Sequence, residues 1–488
     1  MLAFFEQPDV QDALSSLAAE PELTVLVGAG ASKEVGLPTW SELVDALANR
    51  AVGSKRSWSA FADQLRHQIA DGDLLAAAER VEVVLGQARL RQEIERLLYG
   101  QDDPADLEPG PLADGVAAMK LAWGEGLRVA TTNYDQLLLT ALRRRGAEAH
   151  SYCVNSRRPG VIHLHGVLGY EGPADGRNII VLTQRDYLAP VAAGWRADFM
   201  EEALAKPCLF VGASLDDLNM LRPLYGQRRS GGAPLHRALF VRPPATSGFD
   251  RLARLAWEDV ERQRWRGLSL QPLYCDNYAD VAQFAFELAA LREDRSLPPL
   301  AARFQAWYDR AAMGVLSEGR AQYRSNQLRL SDLLAELLSG LQAELGAQGE
   351  VMSLGICALL PPHRPAGQER PVNWVASDRA MTTPATIEPL ALDAGSQWTA
   401  VKAMCAGVGR AEEKHVYASR WRYVWAEPIF TSSSERIPVG AAVLSTRAPA
   451  GVRLLRNRDA EGRLDPANSA RVRDALKRAG EAVLLAEP

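Results

Sequence analysis

Short apolar runs of strand length alternate with helical periodicity over the first 295 residues. Apolar runs without polar alternation are typical of parallel strands that are buried on both faces. The predicted strands are 23–28, 127–132, 161–165, 178–182, 207–211, 238–241 and 268–273. A helix over 11–19 precedes the first strand, and a mostly helical insertion over 41–100 separates the first two. This alternation predicts an α/β domain over 1–295, with a Rossmann-like, doubly wound and mainly parallel sheet.

The chain changes character after residue 295. Pro298-Pro299 and the polar helical sequence behind it predict a helical linker over 296–330. Apolar runs and two helical stretches then predict a second, α+β domain over 331–488 with an antiparallel sheet. A stripe of leucines at helical spacing opens this domain: Leu330, Leu334, Leu337, Leu341 and Leu345. Such a stripe packs either against its own domain or against a second copy or signalling helix.

Composition narrows the classes of function. The formal net charge of −5 is unsuited to a protein that binds nucleic acid through the phosphate backbone. No apolar run reaches the roughly 20 residues that span a membrane, and the first residues lack the basic segment of a secretory signal. The five cysteines are widely spaced without a Cys-x-x-Cys pair, so we expect a cytoplasmic protein without a zinc site.

A glycine-rich loop follows the first predicted strand and reads Gly28-Ala-Gly-Ala-Ser-Lys33. Glycines at a strand end allow the backbone to approach a phosphate closely. The dehydrogenase pattern GxGxxG is not met, because Lys33 stands where the third glycine belongs, and the Walker pattern is absent. By itself the loop therefore indicates either a dinucleotide-type phosphate site or a tight structural turn.

Polar residues stand where two further predicted strands end. Asn133 and Asp135 follow the second strand, and ligands of open parallel sheets bind outside the carboxyl ends of strands. The same two side chains are also suited to cap the next helix. His163 and His165 alternate along another strand, so one faces each side of the sheet. His165 precedes Gly166 and has the more open approach for proton transfer near neutral pH.

A fourth element, Gly212-Ala213-Ser214, ends another predicted strand with a small-residue turn suited to a ribose or phosphate. Four elements in this order resemble the sirtuin superfamily over about residues 10–290: Gly28 to Pro38, Thr131 to Asp135, His163 to Gly166, and Gly212 to Ser214. The sequence looks most like the prokaryotic sirtuin-like branch found in anti-phage defence proteins.

The resemblance implies that NAD binds above the sheet as a substrate, with no further cofactor. The implied NAD-binding residues are Gly28, Ala29, Gly30, Ser32, Thr132, Gly212 and Ser214, and the implied catalytic residues are Asn133, Asp135 and His165. In the family, the positions of Asn133 and Asp135 hold the nicotinamide ribose, its carboxamide and an ordered water. The position of His165 is the catalytic base.

Two departures bear on the reaction. Deacylases of the family carry a zinc module of four cysteines, which this chain lacks, and an Asp-Phe-Arg where this chain has Thr39-Trp40-Ser41. We therefore expect an NAD glycohydrolase that forms ADP-ribose and nicotinamide, as a regulated effector of bacterial anti-phage defence that depletes NAD. The alternatives are a non-catalytic sensor of NAD or ADP-ribose and, further off, an NAD-dependent deacylase or ADP-ribosyltransferase.

The predicted second domain resembles GAF-type sensor domains. The residues that carry this resemblance are Tyr423–Phe430 and the Pro-Val-Gly strand within Ile437–Ser445. Domains of this type bind small molecules or pair as dimers. The resemblance implies a regulatory domain with a small-molecule or protein activator, in a chain that forms a homo-oligomer.

Overall fold

The structure is a computed structural model that describes residues 2–53, 59–100, 107–169, 172–215, 217–227, 234–242, 251–315, 320–359, 371–378, 390–391, 396–413, 421–432, 436–447 and 466–485. The strands are β1 Leu23–Val27, β2 Leu127–Thr131, β3 His150–Tyr152, β4 Gly160–His163, β5 Cys208–Val211, β6 His236–Val241, β7 Leu270–Cys275, β8 Met352–Leu359, β9 Pro371–Ser377, β10 Leu390–Ala391, β11 Arg410–Glu413, β12 Tyr423–Phe430 and β13 Pro438–Thr446. The helices are α1 Leu2–Phe5, α2 Pro8–Ala19, α3 Gly30–Lys33, α4 Trp40–Val52, α5 Ser59–Ala70, α6 Leu74–Leu85, α7 Gln87–Tyr99, α8 Pro111–Trp123, α9 Leu137–Arg144, α10 Gln184–Leu188, α11 Pro190–Leu204, α12 Leu218–Gln227, α13 Arg251–Arg266, α14 Tyr278–Glu293, α15 Leu300–Val315, α16 Arg320–Glu344, α17 Thr399–Ala406 and α18 Pro466–Leu484. Among the described helices, none is both long and apolar enough to cross a membrane.

The first sheet has seven parallel strands in the order β3-β4-β2-β1-β5-β6-β7. Its apolar strands are covered on both faces, which is why they lack polar alternation. Along β1, Val25 and Val27 point into the core formed with α2, α8 and α14. Leu26 points into the opposite core, formed with α11 and α12. The predicted doubly wound, mainly parallel α/β fold is confirmed.

Chain order reverses beside β1, because β2 pairs on one of its edges and β5 on the other. Such a reversal opens a crevice at the carboxyl ends of the strands, where α/β proteins bind their ligands.

The predicted strand over 178–182 is wrong, since these residues run as irregular chain. The Asn178 side chain pairs with the backbone of Val167, accepting from its N–H at 3.0 Å and donating to its carbonyl at 2.6 Å. Val181 and Leu182 are buried without sheet pairing, which an apolar run alone does not distinguish from a strand. The three-residue strand β3, at the sheet edge, was not predicted.

The helical insertion between β1 and β2 comprises α4 to α7, as predicted. Thr39 starts α4 with a capping box. The backbone N–H of Glu42 donates to the Thr39 hydroxyl, and the backbone N–H of Thr39 donates to the Glu42 carboxylate. The inward side chains of these helices form a separate core with Tyr134 and Leu168 of the sheet edge. The insertion thus packs against the segments that follow β2 and β4.

The second sheet has six antiparallel strands in the order β10-β9-β8-β13-β12-β11. Helices α16, α17 and α18 pack against it, so the predicted antiparallel sheet in the C-terminal region is confirmed. The leucine stripe is buried in this same unit, along a single helix that crosses the predicted boundary at residue 330. Of the five predicted leucines, Leu330, Leu334 and Leu341 are buried, and Leu337 and Leu345 are partly buried against the same core.

The two sheets share one continuous apolar core along α8, α14 and the second sheet. Arg436, just before β13, lies at this junction and pairs with Asp114 of α8 at 3.7 Å. Its guanidinium stacks on the rings of Phe286 from α14, at 5.3 Å, and Phe430 from β12, at 4.4 Å. The second unit is thereby attached to helices that also pack against β1 and β2.

Candidate active site

All ten residues predicted to bind or transform NAD line one cavity of about 1140 Å³ at the carboxyl ends of β1, β2, β4 and β5. They come from the loops after these strands: Gly28, Ala29, Gly30 and Ser32; Thr132, Asn133 and Asp135; His165; Gly212 and Ser214. Parallel strands place these loops at the same edge of the sheet. The cavity lies at the reversal of chain order described above.

The loops after β1 and β5 touch backbone to backbone. The N–H of Gly30 donates to the carbonyl of Gly212 at 2.8 Å. A Cβ added to Gly28 would lie 2.5 Å from that carbonyl oxygen, and one added to Gly30 would lie 2.7 Å from the Cα of Gly212. Gly212 itself has φ of +63°, which favours glycine. The glycines are therefore required for the close packing of the two loops, as the structural-turn interpretation expects, and the same loop also lines the cavity.

A buried hydrogen-bond network joins the glycine loop to the residues after β2. The Asn133 side-chain amide donates to Ser32 Oγ at 2.7 Å and to the carbonyl of Gly28 at 3.1 Å. Ser32 Oγ donates in turn to Asp135 Oδ2 at 2.5 Å. Asp135 Oδ1 accepts from the N–H of Leu137 at 3.1 Å, so this carboxylate also caps α9. The helix-cap interpretation thus applies to Asp135, whereas the Asn133 side chain binds the glycine loop.

Burial dominates the electrostatics of this network. It raises the pKa of Asp135 above its ordinary value, although the hydrogen bonds from Ser32 and Leu137 oppose the shift. Beside the loop, burial raises the pKa of Glu34 to about 8. Glu34 Oε2 accepts from the N–H of Leu112 at the start of α8, at 2.9 Å. The cavity wall therefore contains two carboxyl groups whose ionised forms are disfavoured.

The two histidines of the predicted third element, His163 to Gly166, have different surroundings. His165 follows β4 and lines the cavity. His163 is fully buried outside the cavity wall, with Nδ1 3.2 Å from the carbonyl of Asn133 and Nε2 3.3 Å from Ser151 Oγ. Burial lowers the pKa of His163 to about 4, so its ring is neutral. Because it contacts the Asn133 backbone, His163 supports the site and is not an inert control for His165.

Residues outside the predicted set complete the polar end of the cavity. Asp217 Oδ2 lies 3.0 Å from His165 Nε2, and Tyr187 Oη donates to the same oxygen at 3.1 Å. The ring of Tyr187 meets that of His165 edge-on, with centroids 5.5 Å apart. Asp217 was detectable in the sequence as an acid just after the small-residue turn at Ser214. Tyr187 carried no such signal, because it belongs to a separate short helix.

The opposite end of the cavity is aromatic. Phe240 and Tyr274, from the neighbouring strands β6 and β7, stack at 5.8 Å, and Trp257 of α13 meets Tyr274 at 6.0 Å. All three rings line the cavity. The site thus has a polar end, a glycine-lined middle and an aromatic end.

No metal centre accompanies this site in the described residues. All five cysteines are buried. Within the part of the chain that the structure describes, no group of three or more His, Cys, Asp or Glu side chains is arranged to hold a metal ion. The absence of zinc stays a prediction for metal analysis.

Comparison with known proteins finds similarity in the part of the chain that carries most of these site residues. Residues 127–265 match the family model described as a SIR2-like domain. None of the curated proteins compared with the chain matches it significantly. The matched segment begins with β2 and carries Asn133, Asp135, His165, Gly212 and Asp217.

Among solved structures, a Sir2 homologue in complex with NAD is 16% identical, covering 58% of this chain and 94% of that chain with a TM-score of 0.32. A variant Sir2 homologue in complex with ADP-ribose is also 16% identical, covering 59% and 98% with a TM-score of 0.32. Sir2Tm bound to a propionylated peptide is 17% identical, covering 59% and 99% with a TM-score of 0.30. Residues 127–265 of this chain are thus similar to a SIR2-like domain.

Proposed function

We propose that this chain is an NAD glycohydrolase, which cleaves NAD to nicotinamide and ADP-ribose. One observation supports this most: Asn133, Asp135 and His165 leave two neighbouring strands and line a single cavity beside the glycine loop. The SIR2-like family match covers all three residues.

The shape of the cavity suits a dinucleotide. A volume of about 1140 Å³ lies just above the range of about 300–1,000 Å³ that is usual for small-molecule sites. Phe240, Trp257 and Tyr274 offer apolar faces for an adenine ring, and the polar end offers partners for a ribose and a carboxamide. The middle of the cavity is lined by glycine backbone without side chains, which leaves room for a pyrophosphate.

The proposed chemistry divides among the three residues. Cleavage of the nicotinamide–ribose bond passes through an oxocarbenium-like state, so water and ribose must be held in attack geometry. Asn133 serves this purpose because its amide is fixed by Ser32 and the carbonyl of Gly28. Asp135 orients the leaving carboxamide and, through Ser32, the Asn133 side chain. His165 takes a proton from water or from a ribose hydroxyl.

The defining experiment incubates the full chain with NAD, with and without an acetylated peptide, and follows nicotinamide release. A glycohydrolase releases nicotinamide without peptide, in equal amount to ADP-ribose. Release that requires the peptide would identify a deacylase, and transfer of ADP-ribose to protein would identify a transferase. Binding of NAD without release would identify the non-catalytic sensor.

The second part of the proposal is that the C-terminal unit, as a GAF-like sensor domain, controls this activity. An unregulated NAD hydrolase would be toxic, and a change from mostly inactive to mostly active requires about 5 kcal/mol of differential binding. A physical connection exists through α8: Arg436 pairs with Asp114 near the start of this helix, and Leu112 in the same turn donates to Glu34 beside the glycine loop.

We further propose that the protein acts in the cytoplasm as an anti-phage effector and as a homo-oligomer. Comparing NAD levels in infected cells that carry the parent or His165→Ala tests the cellular role.

A further inference from the structure

The turn after β5 places a carboxylate against the candidate base. Leu215, directly after the Gly212–Ser214 turn, has φ of +60° and a fully buried side chain. A non-glycine residue adopts this left-handed backbone only where its surroundings hold it. Two residues later, the Asp217 side chain is 13% exposed and meets His165. The fold therefore maintains an unusual turn at the point where Asp217 reaches the cavity.

Asp217 is held by donors on both of its oxygens. Oδ2 faces His165 Nε2 at 3.0 Å and accepts from Tyr187 Oη at 3.1 Å, and Oδ1 accepts from the N–H of Asn219 at 2.7 Å. Burial acts to raise the pKa of Asp217, but the His165 ring and these hydrogen bonds outweigh it and lower the pKa below its ordinary value. Asp217 is therefore an ionised acceptor, whose orientation is fixed independently of His165.

An ionised carboxylate can only accept hydrogen bonds. His165 Nε2 must then carry the proton, and Nδ1 is the nitrogen that can receive one. In the described residues, the polar contacts of the His165 ring are both made by Nε2. This nitrogen lies 3.0 Å from Asp217 Oδ2 and 3.5 Å from Tyr187 Oη. Tyr134 and Arg196 interact electrostatically with Asp217, and both also interact with Asp186. Arg196 is directed elsewhere, since its Nε donates to the carbonyl of Leu164.

We propose that Asp217 is a positioning residue for His165, which fixes the Nε2–H tautomer and stabilises the imidazolium that forms during the reaction. This inference rests on the proposed NAD hydrolysis. In that reaction the water oxygen bonds to the anomeric carbon, and the glycosidic electron pair leaves with nicotinamide. The water proton moves to Nδ1 of His165 and then to solvent. A carboxylate on the opposite ring nitrogen stabilises the transient positive charge.

Asp217→Asn tests the proposal by steady-state kinetics, because the amide keeps the shape but loses the charge. We expect kcat to fall by about 10-fold to 10⁴-fold with KM changed less than about threefold. The acidic limb of the kcat profile should move to lower pH, since a neutral partner no longer stabilises the imidazolium. Asp198→Asn, an exposed aspartate on α11, is the matched control and should behave as the parent.

Three results would overturn the assignment. A raised KM with parental kcat would mean that Asp217 binds the substrate directly. Asp217 would have a structural role if Asp217→Asn lost activity in step with thermal stability while the acidic limb of the kcat profile stayed at the same pH. Parental kinetics would mean no role at all.

A spectroscopic readout separates this inference from the proposed function. Nitrogen-15 spectra of the histidine rings, with the His165 signals assigned by His165→Ala, report the tautomer whether or not NAD is cleaved. The Nε2–H form in the parent and a mixture of forms in Asp217→Asn support the proposal. An Nδ1–H form in the parent would refute it, even if the protein hydrolyses NAD.

Discussion

Replacing Glu34 with glutamine should change how stability depends on pH. Glu34 lies beside the glycine loop and is 6% exposed. Its Oε2 accepts from the N–H of Leu112, a bond that the glutamine carbonyl can replace. Burial raises the pKa of Glu34 to about 8, and the hydrogen bond from Leu112 and the charge of Arg436 offset only part of the shift. The folded protein therefore holds a proton that the unfolded chain releases near pH 4.5.

The sign and size of the effect follow from this difference. Below about pH 4.5 Glu34 is neutral in both the folded and the unfolded state, so it does not change the free energy of unfolding. Between about pH 4.5 and 8 only the unfolded chain loses the proton, so the free energy of unfolding falls as pH rises. At 1.36 kcal/mol per pKa unit, the full loss is on the order of 5 kcal/mol. Glu34→Gln stays neutral and does not suffer this loss, so it should become progressively more stable than the parent up to about pH 8.

Urea and thermal unfolding of both proteins between pH 5 and 9 measure the difference in their free energies of unfolding. Glu148→Gln, an exposed residue in the loop between α9 and β3, is the matched control and should follow the parent at every pH. We expect the difference between Glu34→Gln and the parent to grow by several kcal/mol over this range and then level off. A difference that stays constant with pH would show that Glu34 is not protonated in the fold, and would refute the reasoning from burial.

Further outcomes test the site and the junction of the two units. Asn133→Ala and His165→Ala should each lower NAD cleavage by about 10²-fold to 10⁴-fold at parental melting temperature, and near-parental turnover would remove either from the mechanism. Arg436→Met leaves Asp114 unpaired, so it should reduce the free energy of unfolding by about 1–3 kcal/mol and weaken the NADase response to infection. A parental response would contradict coupling through this contact. Metal analysis of protein purified without chelator should find no stoichiometric zinc, whose presence would reopen the deacylase alternative.

The strands of the first sheet were predictable because burial on both faces leaves an unbroken apolar signature. The same signature misled at 178–182, where Val181 and Leu182 are buried in irregular chain beneath the insertion. The strand β3 was missed because its three residues, His150 to Tyr152, are too few and too polar to give a pattern.

Site residues that directly follow strands were predictable, since the carboxyl ends of parallel strands meet. Their partners were not, because contacts between distant segments leave no periodic trace in the sequence. Asp217 and Tyr187 reach His165 from the loop beyond β5 and from α10, two segments that are separate from β4 in the sequence. The connection from Arg436 to Asp114 joins segments more than 300 positions apart and depends on the packing of the two units.

The central claim is that this cavity cleaves the nicotinamide–ribose bond of NAD by hydrolysis. A single-turnover experiment tests it most directly, with the full chain in excess over NAD labelled in the nicotinamide, so that even a slow enzyme completes one reaction. We predict that the parent releases labelled nicotinamide and ADP-ribose in equal amounts, without added peptide. His165→Ala should release labelled nicotinamide about 10²-fold to 10⁴-fold more slowly than the parent. Intact NAD after prolonged incubation with the parent, or equal release by the parent and His165→Ala, would contradict the account.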